Sequence, residues 1–203
     1  MAGSLLFILV GPSGVGKTTL LKQALADIPD LRKYVTSTTR PARPDEVEGK
    51  DYHFLTRAVF ERMLAEGKMV ESQEFYGNLY GSTYDNIEEA INGEVDRITS
   101  TEVMGAEALQ ERYPGNVVTI FVSPPSLAAL RGRRAGRAEE TAAQEALREQ
   151  RTMMEMERAG RFRYALINKE LNGAILNIES IIRAERCARF ARQIKQKGLL
   201  RLL

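Results

Sequence analysis

Gly11-Pro12-Ser13-Gly14-Val15-Gly16-Lys17-Thr18 fits the pattern G-x-x-x-x-G-K-[ST] with no substitution. It limits this chain more than any other stretch does. The run Leu5 to Val10 before it is wholly apolar and predicts one buried parallel strand. Thr19 to Ala26 after it predicts a helix, with Leu20, Leu21 and Leu25 on one face. Glycines between a strand and a helix let the backbone wrap closely around a phosphate, because no Cβ blocks the approach. Successive N–H groups and the helix N-terminus then offer donors and partial positive charge to an anion. In such a loop Lys17 reaches the β- and γ-phosphates of a nucleoside triphosphate and the Thr18 hydroxyl holds Mg²⁺. The loop implies the triphosphate and leaves the acceptor open.

The rest of the composition mainly excludes. With 203 residues the chain suits one domain with a real core. A single cysteine, Cys187, rules out an internal disulfide and a cysteine-rich metal site. A single histidine, His53, argues against zinc ligation by histidines and against a Ser-His-Asp triad with a histidine to spare. The net charge of +2 is too small to point to nucleic acid. The arginines at 131, 133, 134 and 137 have no interleaved aromatic residues, as an RNA-binding patch would. No apolar run approaches the roughly 18 residues of a membrane span. Met1-Ala2-Gly3-Ser4 lacks a basic leader region, so a cytoplasmic location is the default expectation.

Along the chain, strands are expected at Tyr34–Thr38, Tyr52–Phe54, Met69–Tyr76, Val95–Thr101, Val117–Val122 and Ala165–Ile167. Helices are expected at Arg57–Glu66, Tyr84–Ile91, Gly105–Tyr113, Ser126–Arg134, Glu139–Ala159 and Ala174–Ile194. Arg97, Thr99 and Ser100 make the fourth of those strands a poor candidate for a central position. Tyr80 to Thr83 reads as a lead-in to a helix, and residues 195–203 as a frayed, flexible tail. Alternating strands and helices predict an α/β fold with a parallel sheet. The short elements between 36 and 93 predict an inserted subdomain, and the arginine-rich 131–148 a lid, around a core of 4–35, 94–130 and 149–194.

Several motifs now stand in one order. After the phosphate loop come Thr36-Ser37-Thr38-Thr39-Arg40-Pro41-Ala42-Arg43-Pro44-Asp45-Glu46 and Tyr52, then Glu71 followed by Gly77-Asn78-Leu79-Tyr80-Gly81-Ser82, then Arg133, Gly136, Arg137 and Arg148. In this order the chain resembles guanylate kinases of bacterial type, over nearly its full length. The resemblance implies a P-loop nucleoside monophosphate kinase fold that moves the γ-phosphate of ATP to GMP, and to dGMP, with Mg²⁺. It implies that Gly11 to Thr18, Thr19 and Asn168 bind ATP, Asn168 near the adenine. It assigns Arg40 and Arg43 to the acceptor phosphate with Tyr52 and Tyr80, Thr36, Glu71 and Ser82 to the guanine base, and Glu46 and Glu102 to the same acceptor site. Arg133, Arg137 and Arg148 would close over the triphosphate, acting with Lys17 and Arg40 in catalysis. These types suit the work. Guanidinium forks bind phosphate bidentately, and a carboxylate accepts from the N1–H and N2–H₂ edge of guanine.

One segment departs from that family. Its Asp-x-Asp-x-Gln-Gly is here Ser100-Thr101-Glu102-Val103-Met104-Gly105. Two alternatives therefore stand beside the main expectation. One is a P-loop kinase with another phosphorylated acceptor, the other a weakly active, guanylate kinase-like binding module. GMP and ATP are the expected partners, without nucleic acid or membrane, and the oligomeric state stays open.

Overall fold

A computed structural model describes residues 3–75, 77–134 and 142–199, with no side chains described for 142–144. Arg137 and part of the expected lid lie outside the described residues, as do the last four positions of the expected tail.

Among the described residues, two sheets carry the fold. The larger is parallel throughout, in the order β2 (Leu31–Lys33), β7 (Asp96–Ser100), β1 (Leu6–Val10), β8 (Val117–Ser123) and β9 (Tyr164–Ile167). Beside it, β4 (His53–Phe54), β3 (Ser37–Thr38), β6 (Asn78–Thr83) and β5 (Met69–Phe75) form a smaller mixed sheet. The helices are α1 (Lys17–Asp27), α2 (Arg57–Ala65), α3 (Tyr84–Asn92), α4 (Val103–Arg112), α5 (Leu127–Arg134), α6 (Ala142–Glu157) and α7 (Leu171–Lys197).

Strand β1 shows why a continuous apolar run was needed. Leu5, Phe7 and Leu9 pack on one face, among residues of α1 and α7 such as Leu20 and Ile178. Leu6, Ile8 and Val10 pack on the other, among Ile87 of α3 and Ala106 and Leu109 of α4. Side chains that alternate across a pleat must all be apolar when both faces are covered. A third, smaller core of Phe60, Met69 and Leu79 joins α2 to the small sheet. Among the described residues, no helix is long and apolar enough to cross a membrane.

Four expectations need correction. The β-branched stretch at 34–38 is not one strand. Residues 31–33 pair with β7 in the large sheet and 37–38 with β4 and β6 in the small one, so this stretch is the crossing between sheets. Tyr80 to Thr83, expected as a lead-in to a helix, belong to a strand over Asn78–Thr83. Its pairing along the whole of β5 supplies the order that Gly81 and Ser82 do not show by propensity. Strand β7 is central despite its polar residues. Asp96, at its start, is only 3% exposed. It accepts a hydrogen bond from the Leu5 N–H at 2.8 Å and pairs with Arg186 at 2.7 Å and Arg189 at 2.5 Å. Ser100 ends the strand at the open edge, and Thr99 is β-branched and buried. Lastly, α7 runs three residues beyond Ile194 to Lys197, so the tail begins later than expected.

Candidate active site

The phosphate loop joins β1 to α1. Gly11 has φ 139° and Gly16 φ 104°, both in the region that L side chains avoid. A Cβ at Gly11 would lie 2.3 Å from the Val122 carbonyl oxygen, and one at Gly16 would lie 2.6 Å from Asn168 Nδ2. Only glycine lets the loop pass between β8 and the turn after β9. Helix α1 has no acidic residue in its first turn, so its positive end is left for an anion. Lys17 Nζ donates to the Gly11 carbonyl and, at 3.3 Å, to that of Pro12. Burial lowers the Lys17 pKa. The carboxylates of Glu102 and Glu155 oppose the lowering, and Arg134 adds to it. Thr18 and Thr19 follow, both exposed.

Two consecutive arginines of α5 hold the back of this loop. Arg133 donates to the Val15 carbonyl at 3.2 Å and to the Asn168 carbonyl at 2.8 Å. Arg134 donates from Nε to the Ser13 carbonyl at 2.7 Å and from Nη2 to the Thr152 hydroxyl of α6 at 2.9 Å. The Thr152 hydroxyl in turn donates to the Arg148 carbonyl at 2.9 Å. Asn168 is buried, and its amide donates to the Val15 carbonyl at 2.8 Å.

The facing wall comes from the small sheet. Arg40 Nη2 meets both oxygens of Glu46 at 2.7 and 2.8 Å, and its Nη1 donates to the Pro41 carbonyl at 2.7 Å. Glu46 also accepts from the Arg43 N–H at 2.9 Å. Partial burial works against its charge, but the Arg43 N–H and the Arg40 guanidinium outweigh it and hold the carboxyl below the usual carboxylate range. Glu46 thus orients the arginine loop. The Arg40 guanidinium lies 5.6 Å from the centre of the Tyr52 ring, and Tyr52 meets Tyr80 edge-on at 6.1 Å. Arg43 has an exposed side chain.

Between the walls lies a cleft of about 230 Å³, lined by Ser13, Gly14, Lys17 and Thr18 on one side and by Thr36, Tyr52, Glu71 and Tyr80 on the other, with Ser100 and Glu102 between. A neighbouring space of about 380 Å³ shares Thr18, Thr36, Tyr52, Tyr80 and Ser100, and adds Arg40, Arg43 and Glu46. Glu71 and Ser82 face each other in the register of β5 and β6. Glu71 is 9% exposed, and burial pushes its carboxyl up to about 7, with Ser82 opposing part of the rise. Gly105 of α4 is the close approach on the far side, where a Cβ would sit 2.6 Å from Glu71 Oε2.

The fold therefore brings together the expected residues from Gly11 to Thr18 with Thr36, Tyr52, Glu71, Tyr80, Ser82 and Glu102, and puts Arg40 and Arg43 at the adjoining space. Arg133 and Asn168 stand behind the loop, on its carbonyls. Sequence reasoning missed Gln73, Tyr34, Arg134 and Glu155 as members of this region. Burial, then the charge of Glu102, pushes the Glu155 carboxyl up to about 7, with Lys17, Arg134 and Arg151 opposing. The alternation of β5 was a usable signal for Gln73, two residues from Glu71. Nothing local marked Glu155, which reaches the site only because α6 packs there.

A parallel sheet with a G-x-x-x-x-G-K-[ST] loop at the strands' C-terminal edge, facing a small mixed sheet across one cleft, defines a P-loop nucleoside monophosphate kinase. A family model described as guanylate kinase matches residues 4–185. The guanylate kinase of Nitrosospira multiformis is 37% identical over 195 residues, 96% of this chain and 92% of the relative. That of Symbiobacterium thermophilum is 38% identical over 182 residues, 90% of this chain and 86% of the relative. The crystal structure of guanylate kinase from Anaplasma phagocytophilum superposes with a TM-score of 0.72 at 29% identity, covering 91% of this chain and 86% of that one. The chain belongs to the guanylate kinase family.

Proposed function

We propose that this protein transfers the γ-phosphate of ATP to GMP, and to dGMP, giving ADP and the nucleoside diphosphate. The observation that carries this reading is the shared cleft, with Lys17 and Thr18 on one wall and Glu71 and Tyr80 on the other. Phosphoryl transfer asks for in-line positioning and for positive charge around the moving group. Gly11 to Lys17 wrap the β- and γ-phosphates, and Lys17 follows the charge that builds on the bridging oxygen. Arg40, held by Glu46, and Arg43 take the acceptor phosphate, with the hydroxyls of Tyr52 and Tyr80 beside them. Glu71, Ser82 and Thr36 read the base, with Glu102 at its edge. Arg133, Arg137 and Arg148 reach the triphosphate as the lid closes, Arg133 leaving the loop carbonyls to do so, and Asn168 borders the adenine.

Mg²⁺ suits the donors present. The Thr18 hydroxyl is a hard oxygen beside the phosphate wrap, and Mg²⁺ takes such a ligand together with phosphate oxygens and water. It would supply charge neutralisation across the β- and γ-phosphates. The cytoplasm, which holds both nucleotides, is the compartment this reading requires.

The test is ADP release with ATP and Mg²⁺ across GMP, dGMP, AMP, UMP and CMP. GMP and dGMP should lead by orders of magnitude in kcat/KM. Lys17→Ala should abolish turnover while leaving the fold intact. Preference for another acceptor, or near-normal turnover in folded Lys17→Ala, would overturn the reading.

A further inference from the structure

Six buried side-chain polar atoms among the described residues have no hydrogen-bond partner, and four of them belong to Glu71, which lines the cleft, and to Tyr34, Gln73 and Ser82 around it: Tyr34 Oη, Glu71 Oε1, Gln73 Nε2 and Ser82 Oγ. Buried donors and acceptors are nearly always paired, so a local concentration of unpaired ones calls for a partner that completes it. Two of the four belong to Glu71 and Ser82, already assigned to the base, and Tyr34 lies beside Ser82 and within range of the Glu71 charge. The fourth, Gln73, has no role yet.

Its position is specific. Glu71 and Gln73 are two apart in β5, so they share a face of the sheet. Both side chains end against the same backbone point of α4. A Cβ on Gly105 would lie 2.6 Å from Glu71 Oε2 and 3.1 Å from Gln73 Nε2. Only a glycine leaves room for the two ends to converge. Met104, the neighbouring side chain on α4, is 53% exposed and offers no amide.

We infer that Gln73 is a positioning residue of the acceptor-base pocket: its amide N–H closes onto Glu71 Oε2 when a guanine edge enters, and so favours guanine over adenine. The inference rests on GMP being the acceptor. Guanine presents two adjacent donors, N1–H and N2–H₂, and needs both Glu71 oxygens ionised and in plane. A carboxyl in so dry a place tends instead to keep its proton. A protonated Glu71 donates, and it meets the N1 acceptor and N6–H₂ donor of adenine better than it meets guanine. An amide donor on the second lone pair of Oε2 stabilises the ionised form and fixes its orientation. The Gln73 carboxamide is neutral, so it does this without adding a charge beside the base.

Gln73→Met keeps the length of the side chain and removes the donor. Gln73→Ala cannot overpack the site and serves as the second variant. With the full chain, ATP and Mg²⁺, both should raise the KM for GMP about tenfold. Both should lower the ratio of kcat/KM for GMP over AMP by a similar factor, with the KM for ATP within twofold of the parent. Calorimetric titration of GMP alone should show the same loss of affinity. An unchanged KM for GMP, or a parallel rise for GMP and ATP as a general loosening would give, overturns the inference. If the parent itself prefers an acceptor other than GMP, it is the proposed function that fails, and the two failures are separable.

Discussion

Glu71, the residue proposed to read the acceptor base, has an environment that gives it a pH signature. Its folded-state value, about 7, stands above the ordinary carboxylate value of 4.5 because burial disfavours the charge. Between those values the folded, ligand-free chain holds a proton that the unfolded chain has released. That contribution to stability is present at acid pH and fades as pH rises through about 7. Guanine needs the ionised form, so GMP binding should release a proton, and its affinity should weaken as pH falls below about 7. Glu71→Gln should weaken GMP at neutral pH by tenfold or more and flatten this pH dependence. Calorimetry of GMP binding without ATP is the right measurement, since Glu155 titrates in the same range beside Lys17. A Glu71→Gln variant with the parental pH profile would assign the profile to another group.

At the scale of elements, two short contacts between neighbouring pieces decide how the site is held. The first is α4 against β5 at Gly105. Alanine favours a helix by up to about 1 kcal/mol over glycine, yet its Cβ would enter the space of Glu71 Oε2. The far end of a glutamate can move aside. Gly105→Ala should therefore leave the melting temperature unchanged or slightly raised while raising the KM for GMP at least several-fold. A lower melting temperature with normal GMP use would show that the carboxylate does not depend on this approach. The second is α5 against the phosphate loop, where Arg134 ties Ser13 to Thr152. Arg134→Leu should weaken ATP several-fold, with GMP binding unaltered, by equilibrium titration of each nucleotide alone. Equal losses for both would place Arg134 in the general stability of the fold instead.

The same scale shows what could be read from the chain beforehand. β1, the loop and α1 were legible because glycine spacing and an unbroken apolar run are local signals. Glu71 on β5 and Tyr80 and Ser82 on β6 were expected at the acceptor from the resemblance, not from periodicity. Strand β6 itself was not legible, because Gly81 and Ser82 carry no strand preference and gain their order from β5. The central place of β7 was hidden for the opposite reason. Its Arg97, Thr99 and Ser100 looked unsuited to a core, and the partners of its buried Asp96, Arg186 and Arg189, lie 90 and 93 positions later.

For the whole molecule, that Asp96 cluster is the join between the sheet and the last helix. Asp96→Ala would leave the Leu5 N–H and two arginines without their shared acceptor. Breaking a buried ion pair from one side costs about 3 kcal/mol or more, so the melting temperature should fall by roughly 10 °C. Residual activity at low temperature should stay near normal, because the cluster lies at the opposite end of β7 from Ser100. A shift of only a degree or two would mean that α7 docks through its apolar face alone. The order in which these groups leave the ribosome adds a further consequence. Leu5 and Asp96 are made long before residues 186 and 189, so during synthesis the central strand pair carries a buried carboxylate whose counterions do not yet exist. A nascent chain in that state has reason to keep the start of β7 loose and wet. It should remain open to proteases and chaperones until α7 emerges, so that a helix made after the whole sheet commits that sheet to its final packing.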